Sequence, residues 1–218
     1  MDFFSFYDSE WSRLEDTDKL FSQIDPIDGR LPIGENVEVV ERSLPMYESA
    51  RILCLTSHKW EEGLRVCYLT HQNRLLRLNG TSPPIHELNT LAPIKITEEN
   101  VLYYLTFFCF FVRGEEGPFY VVYDLADKLL PEAFSEVHST NHLGSPTPSQ
   151  LFRGPRLFGQ DNNGKWRASA MLHYSNAVFL ADFLVSANGM LEMCEDQVLL
   201  SNLPCRINAP LTPSAGIV

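Results

Sequence analysis

The densest apolar stretch of the chain runs without a charge from Asn100 to Val112, NVLYYLTFFCFFV, and turns through RGEEGP into the apolar segment Phe119 to Tyr123. Its length predicts a helix, and the lack of a polar face predicts that other elements enclose it. Thr97 is placed to cap the helix start, Glu98 and Glu99 to meet the positive end of its dipole, and Gly114 to end it in a left-handed turn. The run is shorter than the roughly 20 apolar residues that cross a bilayer, so no membrane span is expected.

Elsewhere the pattern alternates with a period of two. Val37 to Arg42, Arg51 to Thr56, Leu64 to Thr70 and Arg74 to Asn79 read as four strands, with His71, Gln72 and Asn73 making a hairpin connection. After the helix, Asn-Gly pairs in QDNNGK and SANGM, with the polar turn in HYSNAV between them, mark off a meander: Leu151 to Phe158, Trp166 to Tyr174, Ala177 to Ser186 and Met190 to Leu200. Ala177 to Val185 is apolar throughout except for Asp182. It is therefore expected at the centre of its sheet, with a helix on one side. Thr81 to Pro93 holds three prolines and reads as a loop, followed by a short strand at Ile94 to Ile96. Leu125 to Phe134 reads as a short helix and Ser135 to Gln150 as a mobile loop.

Residues 1 to 24 place Phe3, Phe6, Tyr7, Trp11, Leu14 and Phe21 at near-helical spacing with acids between them, and Asp25 to Gly34 reads as a linker. The expected organisation is a helical arm and linker over 1–34, a single α+β domain over 35–207 and a tail over 208–218. Its architecture is a largely antiparallel curved sheet or open barrel packed around one buried central helix. The alternative is a two-sheet arrangement with the helix between the halves.

Charge sharpens the view of the arm. The net charge is −11, and residues 1–48 carry twelve acidic against four basic side chains, whereas the remainder carries sixteen against thirteen. No cluster of Lys and Arg is present to neutralise phosphates, so nucleic acid is not an expected partner. The five cysteines are odd in number, lack C-x-x-C spacing and sit mostly in apolar runs, which predicts reduced thiols and a cytoplasmic location. MDFFSFYDSEW has no basic leader, and no export signal is expected.

Candidate chemistry is sparse. His138 and His142 share i, i+4 spacing but lie in a Ser, Thr and Pro-rich segment, so a loop is expected rather than a metal site. Arg113, Glu115 and Glu116 meet at the helix-to-strand corner, where a pocket could form; Arg113 bonding the last helical carbonyls beside two surface acids is the expected arrangement. Asp182 must be paired, protonated or hydrated, and Arg167 on the neighbouring strand is the expected partner. Glu192, Glu195 and Asp196 suit a charged edge strand that deters unwanted pairing. No nucleophile elbow, P-loop or dinucleotide fingerprint is present, and no cofactor or metal is expected.

The functional expectation is a noncatalytic protein-interaction subunit or adaptor. It would act through Phe3, Phe6, Tyr7, Trp11 and Leu14, in a complex with a protein partner or a second copy. The alternative is a small-molecule-binding or hydrolytic pocket built from Asp182, Arg113, Glu115 and Arg167.

Overall fold

The computed structural model describes residues 11–27, 36–124, 152–203 and 209–213. The described residues form a mixed α and β structure with three helices and two five-stranded antiparallel sheets, neither of which closes into a barrel. Contacts divide these residues into two compact units, one of 11–95 with 209–213 and the other of 96–203. Where one continuous curved sheet was expected, each run of strands joined by short connections pairs with itself. Local hairpin closure costs less chain entropy than pairing across an intervening helix.

The first unit contains β1 (Ser12–Arg13), α1 (Asp18–Ile27), β2 (Glu38–Ser43), β3 (Arg51–Thr56), β4 (Val66–His71), β5 (Arg74–Leu78) and α2 (Pro83–Leu91), with its strands in sequence order. The β4–β5 hairpin pairs His71 with Arg74, and Gln72 takes φ +53° to make the tight reversal. On one face, Val39, Leu53, Leu55, Leu64, Val66 and Tyr68 pack with Leu20 and Ile24 of α1. The spacing of those two helical residues puts them on the same side of α1.

Three expectations fail here for identifiable reasons. Residues 12–13 are not helical: they pair with β2 at Glu41 and Val40, and the Leu14 amide donates to the Val39 carbonyl at 2.9 Å. Spacings near three and four do not distinguish a helix from a short edge strand whose side chains are anchored singly. The segment around Pro83 and Pro84 is helical, because both prolines occupy the first turn, where no intrahelical N–H bond is needed. Ile85 and Leu88 of that helix are buried. Finally, Ala209 and Leu211 are buried, and the Arg65 amide donates to the Pro210 carbonyl at 3.0 Å, so 209–213 packs on this unit.

The second unit contains α3 (Val101–Phe111), β6 (Tyr120–Val121), β7 (Arg156–Gln160), β8 (Trp166–Tyr174), β9 (Ala177–Val185) and β10 (Leu191–Leu200). The order is β10-β9-β8-β6, with β7 also paired to β8, so β9 lies inside the sheet and β10 forms its edge. Gly164 at φ +75° and Gly189 at φ +79° serve the two Asn-Gly turns. Leu105 and Cys109 of α3 pack against Ala168, Ala170, Leu172, Ala181 and Phe183, one face of β8 and β9. The Tyr104 hydroxyl donates to the Gly189 carbonyl at 2.6 Å, fastening the helix to the β9–β10 turn.

The ends of α3 differ from expectation. Asn100, not Thr97, is the residue before the helix; its side chain accepts the Thr97 amide at 2.8 Å, while the Thr97 carbonyl accepts the Val101 amide at 3.0 Å. Thr97 thus opens a turn that leads into the helix. At the other end the helix stops at Val112 in extended conformation, and Gly114 is bridged to Gly117. Gly114 is there for space: a Cβ would lie 2.3 Å from the Tyr174 hydroxyl oxygen.

Candidate functional site

Strand β10 and its surroundings form the most exposed apolar region among the described residues. Phe158 is 58 % exposed, Val198 53 %, Met190 44 % and Met193 43 %, and all four belong to the β7–β10 meander. β10 reaches this state because it is the sheet edge: seven of its ten residues in succession, Glu192 to Val198, are exposed. A strand exposed at successive positions presents both faces, since alternate side chains point to opposite sides. Glu192, Glu195 and Asp196 stand among the apolar residues, and the register shifts between Met193 and Glu195.

Beside this edge a hollow of about 300 Å³ is lined by Phe158, Arg167, Asp182, Leu184, Cys194 and Glu195, among others. Asp182 is exposed, opposite Ser169 on one side and Glu195 on the other. Its neighbours on that face explain how an acid fits an apolar strand. Met171, Val178 and Leu180 are covered by Val122, Phe152 and Leu203 toward the β8–β9 hairpin, while the face around Asp182 is open. Solvent hydrates the carboxylate, and Arg167 lines the same hollow.

The other expected site residues fall elsewhere. Arg113 donates from Nε to the Phe110 carbonyl at 3.3 Å and lies over the Phe110 ring at 5.3 Å, so it fastens the helix end. Glu115 and Glu116 are exposed, and the Glu116 amide donates to the Tyr174 hydroxyl at 3.1 Å. Tyr174 stacks on Phe119 with centroids 4.3 Å apart. None of Arg113, Glu115 and Glu116 lines the Asp182 hollow. The corner is a packed joint around Gly114.

Of the proposed arm contacts, Phe3, Phe6 and Tyr7 lie outside the described residues, as do His138, His142, the Leu125 to Phe134 segment and the Ser135 to Gln150 loop. Trp11 has the Arg42 guanidinium 5.6 Å from its ring centre, and Leu14 packs against the α1 core cluster. Both are engaged within their own unit. A second hollow, of about 380 Å³, is lined by Arg13, Asn36, Glu38, Thr56, Ser57 and His58, with Arg13 and Glu38 paired at 3.7 Å across it.

Two acids of the meander, Asp161 and Glu192, have partners that explain them structurally. Asp161 accepts the Asn163 and Lys165 amides at 2.8 and 2.9 Å, and the Lys165 amide bond above all holds its carboxyl below the ordinary range. The Lys165 ammonium bonds Glu192 at 2.8 Å, which raises the lysine. Burial pushes the Cys109 thiol up to about 12. Among the described residues, no group of three or more His, Cys, Asp or Glu is arranged to hold a metal ion, and no helix is long and apolar enough to cross a membrane.

The charge of the edge strand is legible in the sequence, whereas its apolar component is not. Val198 in EDQVLL carried the only signal, an apolar residue following three polar ones on a strand already read as an edge. No protein-family model, curated protein or solved structure matches this chain.

Proposed function

We propose that the chain is a noncatalytic protein-interaction subunit that engages its partner through the β10 edge. The observation that carries this reading is the exposure of Met193 and Val198 on a strand whose outer edge pairs with no other described strand. Exposed apolar side chains on an unpaired edge are a template for strand addition or for a groove that clasps the strand. Glu192, Glu195 and Asp196 set the partner's character. Like charges brought face to face would oppose pairing of β10 with a second copy, whereas an extended segment with Lys or Arg beside apolar anchors is complementary. In this reading Val101–Phe111 is the central support of the second unit. Trp11 and Leu14 serve the first unit, and any partner contact by the arm falls to Phe3, Phe6 and Tyr7.

A photo-crosslinking residue placed at Met193 or Val198 tests this in the native host. The expected result is a single discrete crosslinked protein that disappears when Glu195 and Asp196 are both changed to Lys, with no equivalent product from a probe at exposed Glu62. Equal labelling from all positions, or none from β10, contradicts the proposal. The pocket alternative has one observation in its favour, the Asp182 and Arg167 hollow, whose 300 Å³ lies at the small end for ligand sites.

A further inference from the structure

Cys54 and Cys67 stand directly opposite one another on the adjacent antiparallel strands β3 and β4. Opposed residues send their side chains to the same face of a sheet. That face is the reverse of the α1 cluster, which takes Leu53 and Leu55 from β3 and Val66 and Tyr68 from β4. It also buries Ile52 with its partner Leu69, and Leu78 opposite Cys67. Both cysteines are thiols, 2 % and 0 % exposed.

Directly opposed Cα atoms in an antiparallel ladder lie about 4.5 or about 5.5 Å apart, according to the hydrogen-bonding class of the pair. Both values fall inside the roughly 4.4 to 6.8 Å that a disulfide spans. The Cβ atoms of opposed residues, about 4.5 to 5.5 Å apart, need to close by only about 1 Å to reach disulfide geometry. Register cannot slip to separate the pair, because a one-residue shift would turn the buried set of each strand to the wrong face. The other described cysteines lack this arrangement. Cys109 is on α3, and Cys194 falls at the register shift of β10, between Met193 opposite Phe183 and Glu195 opposite Asp182.

We propose that Cys54 and Cys67 form a reversible thiol–disulfide pair that staples β3 to β4 when the protein meets a small-molecule disulfide oxidant such as oxidised glutathione. One cysteine thiolate attacks a sulfur of the oxidant, breaking its S–S bond and releasing one small thiolate. The second cysteine thiolate then attacks the protein sulfur of the mixed disulfide, forming the Cys54–Cys67 bond and releasing the second small thiolate. Two protein thiols are oxidised, one small disulfide is reduced to two thiols, and the two cysteine protons end on the departing thiolates. Burial makes exchange wait for local opening of the sheet, so the pair holds its redox state between openings. Strand pairing favours the second step by keeping the resolving sulfur opposite the first.

The test uses the full chain equilibrated in glutathione buffers of graded oxidised-to-reduced ratio, quenched by alkylation and digested with trypsin without reduction. Peptides 52–59 and 66–74 each contain one of the two cysteines. The expected result is a linked 52–59/66–74 species two hydrogens lighter than the separate peptides. It rises and falls reversibly with the glutathione ratio while the circular dichroism of the folded protein persists. Cys194→Ser leaves the linkage intact, and Cys67→Ala removes it. The wild-type map decides the matter even if Cys67→Ala does not fold. Cys54 and Cys67 recovered as alkylated thiols at the most oxidising ratio would overturn the proposal, as would linkage only to glutathione or other cysteines, or linkage only with loss of the native spectrum.

Discussion

The two sheets have the same number of strands and the same antiparallel sense, yet they treat water differently. In the β1–β5 sheet, Ile52 to Leu55 and Val66 to Leu69 are each four buried residues in a row, so the middle strands are covered on both faces. In the β6–β10 sheet, burial of that kind is confined to β6, β8 and parts of β9; β7 is exposed at alternate positions and β10 along most of its length. Strands enclosed on both faces offer no face to a partner, and their residues are chosen for packing. A sheet that ends in a long exposed strand keeps an edge that something else can use.

Substitutions should separate the two sheets by their cost. Leu55→Ala on β3 is expected to destabilise the protein by about 2 to 5 kcal/mol in urea unfolding, since it opens a cavity where no solvent reaches. A cost under about 1 kcal/mol would show that this sheet is not packed as described. Gly114→Ala sits between the extremes. Its new methyl meets the Tyr174 ring, and a loss of about 1 to 3 kcal/mol is expected from the displaced stack. Val198→Asp on β10 should change stability by no more than about 0.5 kcal/mol while removing the crosslinked partner.

Cysteine chemistry draws the same contrast at smaller scale. Cys194, exposed on β10, should react with an aromatic disulfide reagent at pH 8 within the mixing time of a manual assay. Cys109, buried on α3 with its thiol raised to about 12, should stay unmodified until the protein unfolds. Prompt labelling of Cys109 in the folded protein would contradict the packing of α3 on β8 and β9.

Much of the strand layout was legible. β3 has the bounds its alternation predicts, and β8 and β9 fall within a residue of theirs, because Asn-Gly and Ser-Asn turns fix where each strand must end. α2 was illegible because two prolines mark both a loop and a helical first turn, and only the burial of Ile85 and Leu88 decides between them. The edge site was half legible. Period-two patterning shows that Asp182 shares a face with Leu180 and Leu184, yet it does not show that Phe152 and Leu203 cover one end of that face and leave the other open. Covers of this kind come from distant segments and leave no trace in the strand itself.

The smallest expected effect is at the β7–β8 turn. Asp161 has its folded pKa lowered below the ordinary 3.8, so its contribution is fully present above that value and is lost as pH falls through the folded pKa. A carboxyl titration followed by NMR should give a midpoint below 3.8, and Asp161→Asn should remove the associated acid-side loss of turn structure. A midpoint at or above 3.8 would mean that the Lys165 and Asn163 amides do not hold the carboxylate in solution.

The contrast between the sheets is tested most directly by hydroxyl-radical footprinting of the purified chain beside the same chain recovered in complex from its native host. Met190, Met193, Val198 and Phe158 are expected to be labelled in the isolated chain and protected in the complex, with partly exposed Trp60 and Leu75 of the first unit unchanged. Protection confined to the β1–β5 unit would contradict it, and so would a chain recovered alone with all four meander residues fully labelled.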